Sequence, residues 1–410
     1  MRDNTPPTSP YNSNAEDEII YEIDDINEFE EVEELSDNEE VLEDENMEDV
    51  IENQPPERDD SFLTFNKHNS ALFCGSFHPD GVLAVTGGED DKAFVWKIET
   101  GEVVYEVTEH KDSVVAVEFS YDGGYLATAD MAGEVKVFKV EKNYKKVWEY
   151  SMGDISWMKW HRKSNVLLAG SEVGEIFIWR IPSGECKVLQ GTGEKCEVAM
   201  FTNDDRMLAA GYGDGTFKLW DVKNQQTVQN ISSVTSNTDT ENSEVSSIIS
   251  LSTDSENNIV IAGCVDGTAK LFGPNGLIGH LTIPSSNSET SSVEQVLIDY
   301  PGFDLKIAVT GSLDGKVIIW DVAHQTLRNE CKDENPTGIT KLIWLKDFMV
   351  LGGTLGGSIK VWNIRNGEKI FTLLGHANNI HDIAYHKEKN LLLSVSEDKT
   401  AKIFKISDYF

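Results

Sequence analysis

The chain has 410 residues, 39% of them hydrophobic, and 71 Asp and Glu against 35 Lys and Arg, for a formal net charge of −36. That apolar share supplies a sizeable core, while so acidic a surface repels phosphate backbones and anionic lipid and argues against nucleic acid as a direct partner. Five Cys with no CxxC pair give neither a zinc site nor a disulfide framework and point to a reducing cytosol or nucleus. No apolar run approaches the roughly 18 residues of a membrane span, and the polar N-terminus does not read as a signal peptide.

The charge is concentrated at the start. Residues 1–60 hold 24 acids and only Arg2 and Arg58, a net of −22; residues 61–410 hold 47 acids and 33 bases, a net of −14. From Glu16 to Asp60 there is too little apolar area to offset chain entropy, so residues 1–60 are expected to form a disordered acidic tail. Ile19, Ile20, Tyr21, Ile23, Ile26, Phe29, Val32 and Leu35 interrupt the carboxylates. Two readings stand: a solvated tail that aids solubility, or a docking motif or acidic apron for a basic client. Ser36, followed by Asp37, Asn38 and Glu39, suits an acidophilic kinase, a match that is common by chance.

Beyond residue 60 one pattern recurs: a strand with a Gly- or Ser-rich end, a tight turn, then a strand ending in an aromatic. The terminal aromatics are Trp96, Phe138, Trp179, Trp220, Phe272, Trp320, Trp362 and Phe404, spaced by 42, 41, 41, 52, 48, 42 and 42 residues. Asp-Gly turns followed by short β-branched and aromatic runs, as in Gly213–Asp221 and Leu313–Asp321, argue for strands, with Phe217 and Leu219 on one face and Lys218 and Trp220 on the other, and a period of 40-odd residues argues for a ring of four-stranded blades. With Gly375-His376 opening one unit and Trp220-Asp221 and Trp320-Asp321 closing others, the repeats resemble the WD-repeat family. The resemblance implies an all-β WD-repeat β-propeller over residues 61–410, of eight blades, with a seven-bladed ring carrying one degenerate unit as the alternative. Ser61–Asn66 is expected to supply the outer strand of the last blade, closing onto Ala401–Lys405 and removing free sheet edges. The two long spacings mark insertions at Ser232–Glu244 and Pro284–Ser292, read as loops on the top face.

No catalytic constellation emerges. His78, His161 and His386 follow inner strands and read as turn residues. His68, His110 and His376 precede inner strands; by resemblance to the family, His68, Thr86, Asp90 and Trp96 form a stabilising network. No His set has metal-ligand spacing, and no nucleophile or phosphate-loop motif occurs; no metal or cofactor is expected. Cys74, Cys186, Cys196, Cys264 and Cys331 read as buried structural thiols.

The turns carry the functional signal. Asp90, Asp214, Asp266, Asp314 and Asp398 sit where an Asp closes a tight turn. Glu89, Asp91, Asp112, Asp130, Asp154, Glu172 and Glu397 show no such duty in the sequence and fall in units one to three and eight, neighbours once the ring closes. They are expected to form a negative patch at the pore mouth that takes a Lys/Arg-rich peptide. Ile155, Met158 and Trp160 occupy core positions, which leaves Trp157 either as an anchor that stacks on Arg or as a side chain packed under a neighbouring loop.

Four runs, Thr86–Trp96, His110–Val114, Gly153–His161 and Gln325–Arg328, resemble one WD-repeat subfamily, which joins animal proteins associated with cell migration, angiogenesis and small-GTPase signalling to a fungal ribosome-assembly chaperone. The resemblance implies a cytoplasmic, monomeric, non-enzymatic escort whose acidic top face holds the basic N-terminal segment of a large-subunit ribosomal protein. The alternative is a signalling scaffold in cell migration, with some association with the plasma membrane or nucleus.

Overall fold

The computed structural model describes residues 55–232, 246–256, 258–284, 290–300 and 305–409. The chain divides into Met1–Ile51 and Glu52–Phe410; everything below belongs to the second unit. The acidic tail expected over residues 1–60 lies outside the described residues up to position 54, as do most of the Ser232–Glu244 insertion and the middle of Pro284–Ser292.

The second unit is eight four-stranded antiparallel sheets, each a simple meander from an inner to an outer strand. Blade 1 runs through Leu72–Phe77, Leu83–Gly88, Ala93–Lys97 and Val103–Val107, and blades 2 to 7 begin at Val114, Ile155, Cys196, Ile248, Val293 and Ile339. Blade 8 takes Ile380–His386, Leu391–Ser396 and Ala401–Lys405 from the end of the chain and Leu63–Phe65 from its beginning. Leu63, Thr64 and Phe65 pair with Ile403, Lys402 and Ala401. The ring is therefore closed by the strand expected to close it, and the seven-bladed alternative is set aside.

The core lies between blades rather than inside one sheet. Trp160 and Trp179 of blade 3 pack against Ala127, Ala129 and Val135 of blade 2. At the closure, Phe65 stacks on Trp96 of blade 1, with ring centroids 4.6 Å apart and planes 5° from parallel. Every blade has a register shift between its first two strands, as between Ile155 and Trp157. The extra residue explains why the buried positions of that strand are Ile155, Met158 and Trp160 instead of strict alternates.

The tight turn after each second strand needs one left-handed residue. Gly133, Gly174, Gly215, Gly267, Gly315 and Gly357 take that position in blades 2 to 7, while Asp91 (φ 59°) and Lys399 (φ 67°) take it in blades 1 and 8. Aspartate tolerates this conformation better than most residues, so Asp91 has a backbone duty that the sequence alone did not reveal.

Three further expectations need correction. The tail boundary falls before 60: Lys402, its ammonium buried in blade 8, reaches Asp59 Oδ2 at 2.6 Å, and Asp60 exchanges backbone and side-chain hydrogen bonds with Leu374. Cys186 is exposed while the other four thiols are buried, because it sits in an outermost strand with one face in water. His78 and His386 do more than close turns: each donates across a blade boundary, to the carbonyls of Gly123 (3.2 Å) and Pro79 (3.0 Å).

Candidate protein-binding face

One hydrogen bond, repeated in all blades, defines the top of the ring. The first residue after each second strand donates its backbone N–H to the residue just before the inner strand: Glu89 to Ala71, Met131 to Ser113, Glu172 to Asp154, Gly213 to Lys195, Val265 to Ser247, Leu313 to Ser292, Leu355 to Gly338 and Glu397 to Asn379, over 2.8 to 3.1 Å. Eight equivalent positions thus stand around one rim, seven with side chains and one, Gly213 of blade 4, without. Glutamates occupy blades 8, 1 and 3.

The carboxylates differ in what holds them. Glu89 is exposed and makes only a long contact, 3.4 Å, with the Ala71 amide. Asp154 is exposed, and Asp112 is half-buried with Oδ1 accepting from the Ser113 amide at 2.8 Å. Among the described residues no Lys, Arg or His pairs with Glu89, Asp91, Asp112 or Asp154. Glu397 accepts from the Asn379 side chain at 2.8 Å. Glu172 faces Lys195 at 3.1 Å, and Lys195 also faces Glu197 at 3.3 Å. Burial works against the Lys195 charge, but these two carboxylates outweigh it and hold its ammonium above the ordinary lysine range. Lys195, in blade 4, ends the acidic arc.

Asp130 does not belong to that arc. It is the last residue of its strand, one position before the rim, so its side chain turns inward and is fully buried. There Oδ2 accepts from His110 Nδ1 at 2.9 Å and Oδ1 from the Glu134 amide at 2.9 Å, while His110 Nε2 meets Thr128 Oγ1 at 2.7 Å. Burial, set against the Asp130 hydrogen bond, keeps the His110 pKa below its usual value. Asp130 replaces the turn Asp that serves the same purpose in blades 1 and 8. In blade 1 the network runs in one direction: Trp96 Nε1–H donates to Thr86 Oγ1 (3.3 Å), Thr86 and His68 Nε2 are 3.0 Å apart, and His68 Nδ1 reaches Asp90 at 2.9 Å. In blade 8, burial raises the Asp398 carboxyl but hydrogen bonds from His376, Thr400 and the Ala377 amide prevail and hold it at about 2.

Trp157 is half-buried, and its Nε1–H donates to the Cys196 carbonyl of blade 4 at 3.0 Å. A Cβ on Gly170 would fall 2.3 Å from that nitrogen, so the glycine is what leaves room for the indole. Of the two readings of Trp157, packing is the one realised: it ties blade 3 to blade 4 and is no free anchor. What sequence reasoning missed is the rest of the rim: Lys195, just before the inner strand of blade 4, and the aliphatic residues in blades 5 to 7, which aligning the repeats on the tight turn exposes.

Among the described residues, no three His, Cys, Asp or Glu gather in metal-holding geometry. No helix in them is long and apolar enough to cross a membrane.

The family described as WD domain, G-beta repeat, matches residues 60–97, 101–139, 185–221 and 367–405. The angio-associated migratory cell protein of Homo sapiens is 35% identical over 362 residues, covering 84% of this chain and 80% of its own. The ribosome assembly protein SQT1 of Saccharomyces cerevisiae is 22% identical over 85% of this chain and 87% of its own. Among solved structures, the Saccharomyces cerevisiae Sqt1 crystal structure matches with a TM-score of 0.74 at 20% identity, over 85% of this chain and 99% of that one. The Chaetomium thermophilum Sqt1 bound to the N-terminus of the ribosomal protein L10 matches with a TM-score of 0.73 at 20% identity, over 85% and 100%. At that identity the structural likeness speaks for the fold.

Proposed function

The chain belongs to the WD-repeat family of the angio-associated migratory cell protein, and on that premise we propose that it is a non-catalytic escort that holds the Lys/Arg-rich N-terminal segment of a large-subunit ribosomal protein, in the cytoplasm, during ribosome assembly. The observation that carries this reading is the run of carboxylates without cations, Glu89, Asp91, Asp112 and Asp154, on one rim. Backbone turns fix where these residues leave the chain, and like charges held close together strengthen the field at the mouth of the ring. Glu172 and Glu397 flank the patch with partners that a client's guanidinium can displace. A relative of the same fold, the Chaetomium Sqt1, is described as bound to the N-terminus of a ribosomal protein, and its yeast counterpart as a ribosome assembly protein. Charge complementarity sets on-rate and specificity. A Lys/Arg-rich ribosomal peptide should therefore bind the full chain at low salt and lose affinity steeply as salt rises. Binding that salt does not touch would remove the acidic rim from the account.

A second reading, a scaffold among cytosolic signalling partners, draws on one observation: identity to the angio-associated migratory cell protein, 35%, exceeds that to SQT1, 22%. It requires partners whose capture survives high salt and charge reversal of the rim.

A further inference from the structure

The other half of the rim is apolar. In three consecutive blades the position that bears Glu in blades 8, 1 and 3 is Val265, Leu313 and Leu355, exposed by 48%, 50% and 36%. Single exposed apolar side chains are ordinary, and Met131 of blade 2, 51% exposed, is one at this position, but from blade 5 to blade 7 the position is apolar three times in succession. None of the three belongs to an inter-blade core cluster, and each leaves a third to a half of its surface in water.

The three positions adjoin. A Cβ on Gly338 would lie 2.6 Å from the Leu313 carbonyl oxygen and 2.7 Å from Leu355 Cδ1, so a glycine alone separates the turns of blades 6 and 7. A Cβ on Gly267 would lie 2.9 Å from the Ser291 carbonyl, and Ser292 accepts the Leu313 amide, so one short connection separates blades 5 and 6. The charges beside the arc are engaged: Asp266 accepts from the Thr268 amide at 2.9 Å, and Asp314 pairs with Lys316 at 3.0 Å. The arc is thus apolar, with the Asp314 charge compensated by Lys316 and the Asp266 carboxylate tied into its own turn, and it abuts the acidic half where Leu355 of blade 7 precedes Glu397 of blade 8. Contiguous apolar surface of this kind marks an interaction site.

We propose that Val265, Leu313 and Leu355 form a second subsite for the same client, which is therefore bipartite: Lys and Arg side chains lie over blades 8 to 3, and two or three large apolar side chains lie over blades 5 to 7. The proposal rests on the acidic rim being the client site. An extended segment advances about 3.3 Å per residue, so a peptide of about 16 residues reaches across both halves. Charge alone selects any basic segment; the apolar arc supplies discrimination among them, since each buried aliphatic group contributes affinity that is independent of salt.

The test uses the full chain and two synthetic peptides of equal net charge, each about 16 residues long as the span requires. One has a Lys/Arg run followed by Gly and Ser; the other has the same run followed by Leu and Phe. The second should bind wild type at least about tenfold more tightly, by the burial of a few aliphatic groups. The variant V265S/L313S/L355S should erase that difference, leave the affinity and salt dependence of the first peptide unchanged, and keep the wild-type melting temperature. Equal affinity of both peptides for wild type, or a preference that survives in the triple variant, overturns the proposal while leaving the acidic site standing. If neither peptide binds at low salt, the client-site reading fails and takes this inference with it. A concentration-dependent dimer of the wild type that the triple variant abolishes would assign the arc to a second copy of the chain and overturn the proposal.

Discussion

Phe65→Ala tests the closure of the ring at its smallest element. The strand Leu63–Phe65 has only three residues, too few for its hydrogen bonds to hold it without a side-chain anchor. Phe65 is 2% exposed and packs on Trp96, Phe94 and His68. It thereby fixes the N-terminal strand of blade 8 to the face of blade 1. Truncating a buried Phe costs about 3–5 kcal/mol. For a ring of about 350 residues the unfolding entropy is near 0.7 kcal/mol/K, so the melting temperature should fall by about 4–7 °C. Phe62 supplies the internal control. It begins the same segment but is 46% exposed, with the Lys405 ammonium 3.4 Å from its ring centre. Phe62→Ala should cost about 1 kcal/mol or less. Thermal unfolding by circular dichroism, with limited proteolysis before residue 72, reads both effects: Phe65→Ala should melt early and be cut early, and Phe62→Ala should do neither. If the two variants melt together near wild type, the strand is not what closes the ring.

Deleting residues 1–57 should leave the melting temperature within about 1 °C, whereas deleting 1–60 should lower it, because the buried Lys402 ammonium loses Asp59 and an unpaired buried charge costs several kcal/mol; scanning calorimetry of the two truncations compares them. Asp398 has a folded pKa of about 2 against about 3.9 unfolded, so its contribution of roughly 2 kcal/mol is present above pH 4 and lost as pH falls from 4 to 2; Asp398→Asn should flatten that part of the stability profile, and an unchanged slope would refute the assignment. Trp157→Ala should destabilise by about 2–4 kcal/mol through the lost inter-blade packing while leaving peptide affinity within a factor of two, which separates packing from anchoring.

The repeat made the architecture legible because eight copies of one pattern outweigh the departures in any one of them. Phe138, Phe272 and Phe404 fill the same inter-blade space as the tryptophans, so the spacing survives the substitution. The closing strand was legible for the same reason, since Leu63–Phe65 is the piece that eight meanders leave over. Finer assignments failed where one residue decides the direction of a side chain. Asp130 stands one position before the rim, and in a strand one position reverses the face, so it is buried with His110 and not displayed. Trp157 follows the bulge, which shifts the phase of its strand, and its contact is with the next blade, out of reach of any reading of its own repeat. The tail boundary was misplaced because Asp59 and Asp60 have the composition of the tail but bind a lysine and a backbone more than 300 positions away. The Asp91 turn was misread because Gly serves there in six other blades, and an Asp in the same role is visible only through its backbone.

The measurement closest to the central claim is a calorimetric titration of a Lys/Arg-rich ribosomal peptide into wild type and into the variant carrying Glu89→Lys, Asp91→Lys and Asp154→Lys. These three are chosen because none has a cation partner and none holds more than a long backbone contact. Lys399 already occupies the position equivalent to Asp91 in blade 8, so the fold should persist. With close charge pairs worth about 1.5 kcal/mol or more each, the three reversals should cost at least about 4 kcal/mol, roughly a thousandfold in affinity. A folded variant that binds the peptide as tightly as wild type would contradict the account.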